Sequence, residues 1–164
     1  MKETKMTTPE IYPLKNTPQI DGLIFRHFEG EADYPRMLAI FTNLHTVGQF
    51  SGETTLESLR SEFNNLSNCD PHDDLIFADL NEQTVAFCQV HWEQQVKTRE
   101  FSYMIVFRVD PTWQGKGIEQ ALIEWGESRG KHYASVKKKK KNGFFLAFSR
   151  EKDETRRQIL TGSG

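Results

Sequence analysis

Residues 109–119, Val-Asp-Pro-Thr-Trp-Gln-Gly-Lys-Gly-Ile-Glu, restrict the fold more than any other stretch of this chain, because they require a strand, a tight loop and a helix in that order. Upstream, Phe101–Val109 carries aromatic and β-branched residues in near-continuous order, the pattern of a strand buried on both faces. Downstream, Ile118, Ala121, Leu122 and Trp125 recur at helical spacing and mark one apolar helix face. Pro111 ends the strand, while Gly115 and Gly117 leave the backbone bare where the helix begins. Free amide hydrogens at a helix N-terminus, with the positive end of the helix dipole behind them, form an anion site.

Spacing excludes two familiar phosphate loops. A Walker A loop needs Ser or Thr after its Gly-Lys; here Lys116 is followed by Gly117. The dinucleotide fingerprint G-x-G-x-x-G needs a glycine where the chain has Gln120.

Composition narrows what such an anion site serves. A length of 164 residues suits one domain with a real core, and 37% hydrophobic with 27% charged residues describes a soluble globular protein. The formal net charge of -2 gives no general attraction to nucleic acid, so a nucleic-acid partner is not expected. Two cysteines, Cys69 and Cys88, make no disulfide framework, and a reducing cytoplasm is the simplest location. Residues 1–10 are polar, and no window approaches a membrane span. His45, Cys69, Asp70 and His72 lack a metal-ligand spacing, so no metal is expected.

The remaining elements follow from periodicity. Residues 1–21, with Pro9, Pro13 and Pro18, read as an extended leader before a domain at 22–164. A short strand at 23–28 precedes a helix that Asp33 caps, with Pro35 in its first turn and an apolar face of Met37, Leu38, Ile40, Phe41 and Leu44. Thr54 and Glu57 have capping-box spacing, and Leu56, Leu59, Phe63 and Leu66 follow on one side of a second helix. Leu75–Leu80 and residues 84–92 predict a hairpin closed around Asn81, Glu82 and Gln83, with Val85, Phe87, Gln89 and His91 on one face. A last strand is expected at 143–148. The order strand, two helices, three strands, helix, strand predicts an α/β (α+β) fold: a mixed central sheet flanked by helices.

Gln114, Gly115, Lys116, Gly117 and Ile118, approached by Val109, Asp110 and Pro111, resemble the pyrophosphate loop of the GCN5-related N-acetyltransferase (GNAT) family, whose signature is Q/R-x-x-G-x-G/A after a strand ending V-x-P. The order of elements over 22–164 is similar to that family as well. Glu119 departs, standing where the family has Gly or Ala; a carboxylate there weakens pyrophosphate binding unless it points away. The resemblance implies an N-acyltransferase that moves an acetyl group from acetyl-CoA, or another acyl group from its CoA thioester, to a small-molecule or peptide amine. It also implies that the family's C-terminal strands are missing here. A tandem GNAT protein with this chain as its first half, or a homodimer, would account for them, and a non-catalytic acyl-CoA-binding or structural half is the alternative.

Carried over residue by residue, the resemblance assigns the pyrophosphate cradle to the backbone of Gln114, Gly115, Lys116, Gly117, Ile118 and Glu119, with Lys116 adding charge. Main-chain groups of Phe107, Arg108 and Val109 pair with the pantetheine arm, and a splay between this strand and the one at 143–148 makes room. Leu160 aligns with a Tyr that in many members protonates the departing thiolate. For a base the chain offers His91, Glu93, Glu100 and Tyr103. His91 comes first, because an imidazole titrates near neutral pH, and Glu100 follows. The lysine run at 137–141 reads as a solvated loop, close to where the family's cofactor 3′-phosphate lies.

Overall fold

The computed structural model describes residues 14–97 and 99–136 in full and residues 144–147 as backbone. The lysine run, Leu160 and the first thirteen leader residues lie outside the described residues.

In chain order the elements are β1 (Leu23–His27), α1 (Asp33–Thr46), α2 (Leu56–Asn64), α3 (Pro71–Asp74), β2 (Leu75–Leu80), β3 (Gln83–Gln94), β4 (Phe101–Val109), a 3-10 turn at Pro111–Trp113, α4 (Ile118–Val136) and β5 (Phe144–Ala147). The five strands form one sheet in sequence order, antiparallel throughout except for the parallel β4–β5 pair that α4 connects. The mixed sheet flanked by helices is therefore the observed fold.

Local chemistry explains the elements and the places where they depart from expectation. The β2–β3 turn is tighter than a three-residue loop. Asn81 and Glu82 both take positive φ, 48° and 68°, so a two-residue turn joins the strands and Gln83 already belongs to β3. The α2 capping box sits one residue later than the spacing of Thr54 and Glu57 suggested: the Thr55 hydroxyl accepts from the Ser58 amide, and Ser58 Oγ accepts from the Thr55 amide. Asp33 does not cap α1 from the N-cap position. It begins the helix fully buried, accepting from the Arg26 guanidinium and the Glu29 amide. The short α3 was not foreseen, although Asp70 accepts from the His72 amide and Pro71 opens the helix, both ordinary start signals.

The sheet divides two cores. On one side α4 covers Ile76, Ala86, Cys88, Val90, Ile105, Phe107 and Val109 with Ile118, Ala121, Leu122 and Trp125. Leu14 and Ile20, just before β1, pack onto this cluster, and Asn16 donates to the Glu124 carboxylate. On the other side α1 and α2 cover Leu75, Phe77 and Phe87 with Met37, Ile40, Leu44, Leu59 and Phe63. Val85 belongs to the α4 side, not with Phe87. The β2–β3 register slips between Ala78 and Asp79 and leaves Val85 as the extra residue, which breaks the expected alternation. Gly126 brings α4 close to β4: a Cβ there would lie 2.7 Å from Ile105 Cγ2.

Candidate functional site

The loop between β4 and α4 has the backbone that its glycines predict. Gly115 and Gly117 take φ of 73° and 92°, which L side chains rarely adopt, and a Cβ at Gly117 would also press on Pro18 at 3.2 Å. Asp110 anchors the entry, its Oδ1 accepting from the Thr112 amide and hydroxyl and its Oδ2 from Asn43 of α1 at 2.6 Å. Burial pushes the Asp110 carboxyl up, but the bonds from Thr112 and Asn43 outweigh it and hold it below the usual carboxylate range. Gln114 is tied to the connection after α1 by a reciprocal pair of amide hydrogen bonds with Gln49, at 3.0 and 2.6 Å, and its Nε2 also reaches the Val109 carbonyl. Sequence reasoning missed Asn43 and Gln49, because partners 67 and 65 residues away leave no local signal.

Lys116 and Glu119 supply the loop's charges. The Lys116 ammonium lies over the Trp113 ring, 4.3 Å from its centroid. At an exposed site such a contact is worth about 0.5–1 kcal/mol, little enough to be exchanged for a phosphate. Glu119 points into the loop. Its Oε1 accepts from the Gly115 amide at 2.8 Å, while Oε2 is buried without a partner. Ile118 carries no charge; its side chain is fully buried and fixes the first turn of α4 to the core.

β4 was expected to be buried on both faces, and it is not. Ile105, Phe107 and Val109 are sealed under α4, whereas Met104, Val106 and Arg108 on the opposite face are only half-buried. Across the β3–β4 register this open face pairs Arg108 with Phe87, Val106 with Gln89, and Met104 with His91. The apolar run that looked doubly buried is covered on one side by α4, while α1 and α2 leave the neighbours of His91 partly open.

His91 Nδ1 is buried without a hydrogen-bond partner, and Nε2 lies 3.8 Å from Glu93 Oε1. Burial lowers the imidazole pKa, and Glu93 only partly offsets this. The neutral ring that results at pH 7 is the form able to accept a proton. Glu100 is not brought near the loop: it precedes β4, whose nine residues at about 3.4 Å each separate it by about 30 Å from the loop end of the strand. Tyr103 faces the other way, alternating with His91's partner Met104, and burial raises its phenol pKa.

Phe107, Arg108 and Val109 lie at the end of β4 nearest the loop, beyond the β4–β5 pairs seen among the described residues, which run as far as Ile105 with Ala147. The Arg108 guanidinium sits 5.7 Å from the Phe41 ring of α1, which also packs on Phe50 and Phe87. Phe41 borders a cleft of about 450 Å³ whose walls include Thr42, His45, Thr46, Ser51, Glu53 and Thr54. Among the described residues no group of three or more His, Cys, Asp or Glu side chains is arranged to hold a metal ion, and no helix is long and apolar enough to cross a membrane.

Residues 37–141 match the model of the acetyltransferase (GNAT) family, a span that includes β2, β3, β4, the glycine loop and α4. No curated protein matches the chain. Among solved structures, a GCN5-related N-acetyltransferase from Sphaerobacter thermophilus superposes with a TM-score of 0.74 at 15% identity, covering 88% of this chain and 44% of that one. An aminoglycoside acetyltransferase from an uncultured soil metagenomic sample, in complex with sisomicin, gives 0.58 at 17% identity over 87% of each chain. Glucosamine-6-phosphate N-acetyltransferase from Arabidopsis thaliana gives 0.57 at 12% identity, over 85% of this chain and 90% of that one. At these identities the likenesses establish the fold, and this chain spans less than half the length of the Sphaerobacter protein.

Proposed function

Since the chain belongs to the acetyltransferase (GNAT) family, we propose that it is an N-acetyltransferase that carries an acetyl group from acetyl-CoA to an amine. The observation that carries this reading is the loop from Gln114 to Glu119, with two glycines at positive φ feeding the N-terminus of a helix of 19 residues. Its backbone amides suit the pyrophosphate, with Lys116 free to leave Trp113 for a phosphate oxygen. The backbone of Phe107, Arg108 and Val109 is the proposed contact for the pantetheine arm. Acetyl-CoA supplies the acyl group and the thiolate that leaves; the protein positions both and manages the protons.

His91 is the proposed base. Its lowered pKa keeps it neutral, so it takes a proton from the acceptor ammonium and frees the nitrogen lone pair for attack on the thioester carbonyl. Glu100 has the less suitable position. The acceptor is a small-molecule or peptide amine, and the cleft beside Phe41 suits it: Glu53 can pair with an ammonium, and Thr42, Thr46, Ser51 and Thr54 can hydrogen-bond hydroxyl or amide groups. The proposed domain is 22–164. The reduced thiols of Cys69 and buried Cys88 favour a reducing cytoplasm.

A second reading, a non-catalytic acyl-CoA-binding or structural half of a tandem protein, is favoured by the Glu119 carboxylate in the loop. Thiol release from acetyl-CoA, followed against a panel of free amines, amino sugars and Lys-containing peptides, separates the two. Amine-dependent release that His91→Gln abolishes supports transfer; binding of acetyl-CoA with no release for any amine favours the second reading.

A further inference from the structure

Glu119 is the charged residue in the loop whose position its helix does not explain. A first-turn carboxylate ordinarily steadies a helix from the surface, where water serves its second oxygen. Here the residue is 3% exposed; Oε1 takes the Gly115 amide at 2.8 Å, and Oε2 is buried with no donor. A carboxylate retained only for stability is expected to satisfy both oxygens, because a buried acceptor left unpaired costs free energy. The carboxylate therefore occupies an anion site without filling it. Gly115 also belongs to the loop whose bare backbone is the proposed pyrophosphate cradle.

We infer that the Glu119 carboxylate is a tethered competitor for the pyrophosphate of acyl-CoA, taking the Gly115 amide while the loop is empty and giving it up when the cofactor binds. This rests on the proposed acyl-CoA function. Carboxylate and phosphate oxygens seek the same donors, and two anions crowded at one helix N-terminus repel each other in a partly desolvated site. Part of the binding free energy of the pyrophosphate goes into displacing Glu119, so Glu119 lowers affinity for pyrophosphate-bearing ligands specifically. A ligand with the pantetheine arm alone does not meet it.

Isothermal titration of acetyl-CoA and of S-acetylpantetheine, which lacks the pyrophosphate, into the full chain and its Glu119→Gln and Glu119→Ala variants tests this, with thermal melts to establish folding. Removing a charged competitor for one charge-assisted donor is expected to tighten acetyl-CoA binding by about tenfold or more in Glu119→Ala. Glu119→Gln, which keeps an acceptor for the Gly115 amide but no charge, should fall between Ala and wild type, and S-acetylpantetheine should bind all three alike. Equal acetyl-CoA affinity in wild type and both folded variants overturns the inference and leaves the proposed function standing. Equal tightening for S-acetylpantetheine also overturns it, because the effect would then not reside at the pyrophosphate. No acetyl-CoA binding by any folded form overturns the proposed function, and the inference with it.

Discussion

The two faces of β4 differ in what covers them, and on the proposed function the difference separates stability from chemistry along one strand. Under α4, Ile105, Phe107 and Val109 are between 1% and 4% exposed, and Gly126 lets the helix approach so closely that a methyl group would clash. On the opposite face Met104, Val106 and Arg108 are half-buried, beside the poorly solvated imidazole of His91 and the Phe41 ring that borders the cleft. Close packing on the α4 side fixes where the strand ends and the loop begins; incomplete cover on the other side leaves open the face where the proposed substrate would lie. A rigid face holding an open one is how a site keeps its geometry without closing itself to ligands.

Substitutions on the two faces should therefore fail in different ways. Phe107→Ala empties a fully buried ring position and should cost about 3–5 kcal/mol in urea unfolding, with acetyl-CoA binding lost along with the fold. His91→Gln, on the open face, should lower kcat by about 100-fold or more while chemical denaturation shows a near wild-type midpoint. A large stability loss there would erase the contrast between the faces. Gly126→Ala drives a methyl into Ile105 and should destabilise by about 1–3 kcal/mol, measured by thermal melting, with no direct contact to any proposed site residue. Asn43→Ala removes one donor to Asp110 and should cost about 1 kcal/mol. Because hydrogen bonds hold the Asp110 pKa below its unfolded value, that stabilisation is present above the unfolded pKa and is lost as pH falls through the folded one. The difference between Asn43→Ala and wild type should then shrink in acid.

The His91 pKa gives the smallest of these effects. Its folded value lies below the unfolded one, so its contribution to stability is complete above about pH 6.5 and is lost as pH falls toward the folded value. His91→Gln should flatten that part of the stability profile. In the wild type, the acid limb of kcat/KM should lie below the ordinary imidazole range, and the same substitution should remove it.

Most of the framework was readable from the chain, because it rests on short-range patterns. The apolar periodicities around Leu59, Phe63 and Leu122, the turn at Asn81 and the two glycines at 115 and 117 each carry their own local signal. Fine placement was less accessible. The capping box moved from Thr54 to Thr55 because either hydroxyl can serve and only packing of Leu56 and Leu59 selects the register. The slip that sends Val85 to the α4 side depends on β2 and cannot be read from β3 alone. In the proposed site, His91 and the loop were candidates by residue type. The half-cover of β4 and the ties from Asn43 and Gln49 arise between distant segments, and neither strand pattern nor loop motif records them. Glu119 stood out as a departure from the family loop; only its geometry showed that it turns inward.

On the proposed function, acyl-CoA binds along the loop end of β4, with its pyrophosphate in the glycine loop and its reacting end within reach of the open face. The most direct test is an amide NMR titration of the full chain with acetyl-CoA. The account predicts the largest shifts at Gly115, Gly117 and Glu119, continuing through Phe107, Arg108 and Val109 toward His91, with little change on β1 or β2. Binding that leaves the Gly115 and Gly117 amides unmoved, or that shifts a different part of the surface, would contradict it.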